Sequence, residues 1–210
     1  MNRLTHAILE QNLPTVFTMA DLKRLEPEDN ARYCQMRRAL ALGDIIRLRR
    51  GFYALNRIFR KELINGHLLA HQFIPDSYIS FETALRDAGW IPEFVFEIAS
   101  VSSRQSCVIS TEFARFSYTR IPQKNLFAGV EKFTHGLAYH WEAKPLKALA
   151  DYLYVSKHPW NSLDPLVKSL RIEIDDLETL SAEDFNELEG NYEAACVENF
   201  LSGIRKELQV

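Results

Sequence analysis

Between Cys34 and Tyr53 the chain reads CQMRRALALGDIIRLRRGFY, and this run limits the possible folds more than any other. Its first half is an arginine-studded helical pattern. Gly43 supplies the stop, because glycine accepts the left-handed backbone that closes a helix. Ile45, Ile46 and Leu48 then start a strand, Gly51 permits a tight turn, and Phe52 and Tyr53 return on a partner strand. Arg47, Arg49 and Arg50 fall near the tip of that hairpin.

Two helices are expected before it. Thr5–Glu10 has an apolar side of Leu4, Ile8 and Leu9, and Pro14 follows it. Thr18 and Asp21 form a loose capping box for a short helix packed through Met19, Leu22 and Leu25. Acids in Glu26-Pro27-Glu28-Asp29 sit where the next helix begins and its dipole favours them. That third helix is predicted over Asp29–Leu42, with Tyr33, Met36, Ala39 and Leu40 facing the core and Asn30, Arg32, Gln35 and Arg38 on other faces. Three helices and a basic hairpin read as a winged helix-turn-helix over residues 1–57. A helix fits the major groove, where Arg and Gln suit guanine and adenine edges. A basic hairpin beside it holds phosphates or enters the minor groove. The expected DNA-contacting set is therefore Asn30, Arg32, Gln35, Arg38, Arg47, Arg49 and Arg50. Modules of this shape also serve as protein docking domains, so an interaction adaptor without DNA binding is the alternative.

Net charge of −3 argues against nucleic acid only if it is spread evenly. It is not: residues 1–60 carry 11 Lys/Arg against 6 Asp/Glu, residues 61–170 carry 11 against 11, and residues 171–210 carry 3 against 11. Phosphate contacts are local, so the basic first segment is what counts. Cys34, Cys107 and Cys196 are too far apart for a zinc pattern and odd in number for a disulfide framework; they read as small hydrophobes. With no long apolar run and no secretory h-region, the expected location is the cytoplasm, without membrane association.

Residues 58–210 are expected to form a mixed α/β domain with an antiparallel-rich sheet, giving an α+β chain overall. Helices are predicted near Glu62–Phe73, Phe81–Ala88 (capped by Ser80) and Lys144–Val155. Strand-like runs are Tyr78–Ile79, Phe94–Val101, Cys107–Ile109, Arg115–Ile121, Val130–Phe133 and Leu137–Trp141. Phe116 and Tyr118 alternate with Arg115, Ser117 and Thr119, as in a half-buried strand. From about residue 160 an acidic helical extension follows: Leu163–Leu170, two short helices near Asp175–Leu180 and Ala182–Leu188, and Tyr192–Leu208 with a stripe of Tyr192, Cys196, Phe200, Ile204 and Leu208.

Catalytic signatures are sparse. No Gly-rich phosphate loop or Gly-x-Ser-x-Gly elbow is present. His67 and His71, four apart on a predicted helix, could share a metal, yet no third ligand is evident. Ser80 reads as a helix cap rather than a nucleophile, and Lys147 with Asp151 as a helix-stabilising pair rather than an active one. No enzyme activity, cofactor or metal is expected.

Two ordered segments carry a family resemblance: Arg50-Gly51-Phe52-Tyr53-Ala54-Leu55, and Pro75-Asp76-Ser77-Tyr78-Ile79-Ser80-Phe81-Glu82-Thr83-Ala84-Leu85. Phe127-Ala128-Gly129 and the helix Ala143–Tyr152 follow in register. Over roughly residues 3–155 the chain resembles the AbiEi antitoxins of bacterial type IV toxin–antitoxin systems, also described as transcriptional regulators. The resemblance implies an N-terminal winged helix joined to an α/β domain. It also implies an autorepressor that binds double-stranded operator repeats upstream of its own operon and counters a nucleotidyltransferase-like toxin without a stable complex. Paired repeats would suit two copies on DNA. In one departure, Leu146 stands where the family's late helix carries glutamate ahead of Lys-Ala-Leu-hydrophobic-Asp.

Overall fold

The computed structural model describes residues 1–92 and 97–210. They divide into two units, Met1–Asn65 with Thr111–Phe113, and Gly66–Ser110 with Ala114–Val210. The chain is α+β, with helices and a hairpin at its start and a helical region at its end. No helix among the described residues is long and apolar enough to cross a membrane.

In the first unit the Asn2 side chain accepts from the Leu4 amide and starts α1 (Arg3–Glu10), which buries Leu4 and Ile8 one turn apart. A two-residue strand, β1 (Val16–Phe17), comes next. The capping box then forms as its residues suggest: the Thr18 amide and hydroxyl both donate to Asp21 Oδ2, at 2.7 and 2.8 Å. The helix behind it is a single 3-10 turn, Asp21–Arg24. Glu28 accepts from the Asn30 and Ala31 amides and opens α2 (Asp29–Ala41). Gly43 ends it at φ +72°, and β2 (Ile45–Arg49) pairs antiparallel with β3 (Phe52–Leu55), which also pairs with β1. Leu4, Ile8, Phe17, Leu22, Met36, Ala39, Ile45 and Leu55 form the core.

The second unit is built on a six-stranded mixed sheet among the described residues. The strands are β4 (Ser77–Ile79), β5 (Glu97–Ser102), β6 (Cys107–Ser110), β7 (Arg115–Arg120), β8 (Val130–His135) and β9 (Ala138–Ala143), in the order β6-β7-β5-β4-β9-β8. β7 with β5 and β4 with β9 run parallel; the other pairs are antiparallel. The expected strand Phe94–Val101 appears from Glu97, and its first three residues lie outside the described residues.

Register assigns the two faces, because paired residues point the same way and neighbours along a strand point opposite ways. Ile79, Ser100, Tyr118 and Glu142 share one face. Helix α3 (Gly66–Phe73) covers it: Tyr118 donates to Ala70 O at 2.8 Å, and Phe73 meets Phe116 edge-on. Tyr78, Val101 and Thr119 share the other. There Tyr78 and Val101 join the core of α4 (Phe81–Asp87), α5 (Pro145–Ser156) and the C-terminal helices. Phe116 and Tyr118 are buried as their alternation predicts.

The acidic region forms α6 (Asp164–Leu170), α7 (Ile174–Leu177), α8 (Ala182–Leu188) and α9 (Ala195–Leu208). Its leucines complete the second unit's core. α9 starts later than expected and buries Val197, Phe200, Leu201 and Ile204, whereas Cys196 is only half-buried. Gly203 lets this helix come close to the backbone: a Cβ there would lie 2.0 Å from Asn161 O. Leu146 is buried in the same core. Cys34 and Cys107, read as small hydrophobes, are exposed.

Candidate functional site

The first candidate is the outer surface of α2 and its hairpin. Helix phase decides which side chains are available, and it differs from the expected one. Arg32 is turned inward at 6 % exposure. Its Nη1 donates to Glu26 O at 2.8 Å and to Pro27 O at 3.2 Å, and its Nη2 meets Asp29. Gln35 Nε2 donates to Glu26 Oε2 at 2.8 Å, while the Gln35 carbonyl accepts from Asn2. Both residues therefore fasten α2 to the turn before it, which corrects their placement on an outward face. Tyr33, expected in the core, is 61 % exposed. Only Met36 and Ala39 supply fully buried apolar side chains on α2, so its phase was weakly marked in sequence.

What α2 presents is Asn30, Tyr33, Cys34, Arg37, Arg38 and Ala41, a three-four repeat along one side. Asn30 and Arg38 were expected there, and Arg37 was missed. The signal that could have found it is Asp29, three residues before Arg32 and able to pair with it, which takes Arg32 out of the outward set. In the hairpin Arg47 and Arg50 are exposed, and Arg49 is half-buried with its guanidinium 6.0 Å from the Phe52 ring centre. Register slips between Arg47 and Arg49, so Leu48 turns into the core and Arg47 outward. Gly51 takes the turn at φ +90°, which a side-chain-bearing residue would strain.

The second candidate lies inside the second unit. Ser80 was expected to cap α4; it makes no cap bond, and its hydroxyl donates to Asp151 Oδ2 at 2.7 Å. The turn that aims it inward rests on Phe81 at φ +56°, a conformation costly for an aromatic residue. Asp151 also accepts from the Tyr78 hydroxyl at 2.8 Å, the Tyr192 hydroxyl at 2.6 Å and Gln123 Nε2 at 3.2 Å. Lys147 reaches Gln123 Oε1 rather than Asp151, its Nζ 4.7 Å from the Tyr192 ring centre and 5.4 Å from that of Tyr78. Burial pushes the Asp151 carboxyl up, with Lys147 and the hydroxyl donors pulling against it. Burial also draws the Lys147 amine down and holds both phenols well above their usual value. Lys147, Asp151 and Ser80 are all at 0 % exposure, and Gln123, which reaches both Lys147 and Asp151, is half-buried. The cluster's chemistry is that of a satisfied buried network that fixes how α5 meets the sheet and the C-terminal helices.

The helical pair His67 and His71 does not act together. His67 faces Asp87, whereas His71 packs on Tyr139 with ring centres 4.9 Å apart. No family model matches this chain, and no curated protein matches it.

Proposed function

We propose that the chain is a sequence-specific DNA-binding repressor whose first unit works as a winged helix. The observation that carries this reading is the outward set Asn30, Tyr33, Arg37 and Arg38 on a 13-residue helix, followed within the same unit by a hairpin exposing Arg47 and Arg50. The order helix, strand, short helix, helix, hairpin is the one such a module needs, and the first sixty residues hold the chain's excess of positive charge. In this reading α2 enters the major groove and Arg37 and Arg38 reach base edges. Arg47, Arg50 and, less freely, Arg49 hold phosphates. Arg32 and Gln35 keep α2 in place. The AbiEi resemblance extends the proposal to autorepression at operator repeats, two copies on DNA, and antitoxin action against a nucleotidyltransferase-like toxin without a stable complex.

Footprinting on the chain's own upstream region tests this, together with affinity measured across a salt series. Protection of paired repeats is expected, and R47A and R50A should each lower the salt slope by about 1. Absence of protection, or a slope unmoved in the double variant, refutes it. The adaptor reading has one observation in its favour: the edge hairpin β8–β9 exposes Phe133, Leu137 and Tyr139. A stoichiometric protein partner captured with no DNA retained would favour it.

A further inference from the structure

α3, the last residue of α4 and β9 bring together three side chains of metal-ligand type. One ligand atom from each of His67, Asp87 and Glu142 lies within 4.8 Å of the other two. Asp87 stands at the C-terminal end of α4, where the helix dipole disfavours a carboxylate. Arg86 Nε donates to its Oδ1 at 2.8 Å, and Oδ2 faces His67 Nε2 at 2.6 Å. Burial pushes this carboxyl up, and the hydrogen bonds and charges of His67 and Arg86 more than reverse it, so its pKa falls below the usual range.

Glu142 lies on the face of β9 that looks toward α3, its side chain 10 % exposed. His140, two residues back on the same face, donates from Nε2 to Glu142 Oε2 at 3.2 Å. His140 Nδ1 is then buried with no hydrogen-bond partner among the described residues, and so is His71 Nδ1. The unpartnered nitrogen of His140 belongs to the imidazole that holds Glu142, and a buried polar atom without a partner marks this side of the cluster as incompletely satisfied. The His67 and His140 ring centres are 5.3 Å apart.

We propose that His67 Nε2, Asp87 Oδ2 and the Glu142 carboxylate bind a divalent first-row transition cation of the zinc class, with His140 orienting Glu142. Zinc bonds to nitrogen and oxygen of about 2.1 Å place tetrahedral ligand atoms roughly 3.4 Å apart. That lies inside the observed spread and above the His67–Asp87 contact. The cation therefore replaces that hydrogen bond, and His67 takes it through Nε2 as the Nδ1–H tautomer. Arg86 holds Oδ1 and leaves Oδ2 for the metal; His140 is the outer-shell partner that metal-bound carboxylates require. One imidazole with two carboxylates favours zinc, cobalt or manganese over calcium or magnesium, which want more oxygen ligands. The His67 and Asp87 side chains are 23 % and 26 % exposed, which opens the site to solvent on their side. Three donors among the described residues leave a fourth position for water. None of this depends on the DNA reading.

The test is titration of the full chain, stripped with a chelator and desalted, with Co2+, reading its visible d–d bands. The expected result is saturation at one equivalent, loss of the bands on adding Zn2+, and no effect of millimolar Mg2+. H67A and E142Q should each weaken binding by roughly tenfold or more, and H140A by less. H71A and H6A should leave it unchanged. If H67A lacks a cooperative melt, D87N, which keeps the shape of the side chain, takes its place. The absence of a saturable band in the unaltered chain overturns the proposal, as does unchanged affinity in both ligand variants.

Discussion

The first unit wears its charges outside and the second keeps some of its own inside. Arg37, Arg38, Arg47 and Arg50 stand in solvent around a small apolar core, so their guanidinium groups are open to a partner and almost irrelevant to folding. Lys147 and Asp151 are sealed in, and desolvating them costs several kcal/mol that only a full set of partners offsets. Charge in a sequence therefore points to function only once burial is known. Arg32 and Asp44 are exceptions inside the first unit, charged side chains buried and hydrogen-bonded like the pair of the second.

The largest effect that could break this contrast is at Asp151. Asp151→Ala strands Lys147 and three hydroxyls, and denaturant unfolding should show a loss of about 3–5 kcal/mol. An indifferent stability would mean the network is ornamental. Alkali probes the same place more gently. The folded state holds the Tyr78 and Tyr192 protons where the unfolded chain releases them near the usual phenol value of about 10. Stability should thus be intact below that pH and decline above it, and Tyr78→Phe should flatten the decline in a Tm-versus-pH series.

Two arginines on opposite sides of α2 sharpen the contrast further. Arg32→Ala leaves two backbone carbonyls without their donor and should cost about 1–3 kcal/mol, read as a lower Tm. Arg37→Ala should move stability by less than about 0.5 kcal/mol while shifting base preference in a binding-site selection. Should the two variants exchange these behaviours, the assigned helix phase is wrong.

Elements with a clear period were readable in the chain itself. Leu146, Leu149, Ala150 and Leu153 line α5 as their spacing suggests, and the Thr18–Asp21 box closes as expected. What escaped depended on partners distant in sequence. Ser80 follows a strand and precedes a helix, which locally means a cap, but Asp151, seventy-one residues on, is the acceptor that takes its hydroxyl. His67 lacked a third ligand because Asp87 and Glu142 come from other elements. α3 starts at Gly66 rather than near Glu62, and α9 after Tyr192, whose residue bridges to Gln123 and holds Asp151. On α2 an arginine with a long aliphatic stem competed with a tyrosine for the inner side, and the backbone carbonyls of the preceding turn decided it.

Tyr192 belongs to the acidic C-terminal region, yet its hydroxyl completes the shell around a carboxylate on α5. A ribosome-bound chain that has emerged only as far as α6 would hold Asp151 with one donor short and the leucine-rich side of α5 still wet. The second unit can lock only after the stretch bearing Tyr192 arrives, so the first unit has the opportunity to fold well before the rest is finished.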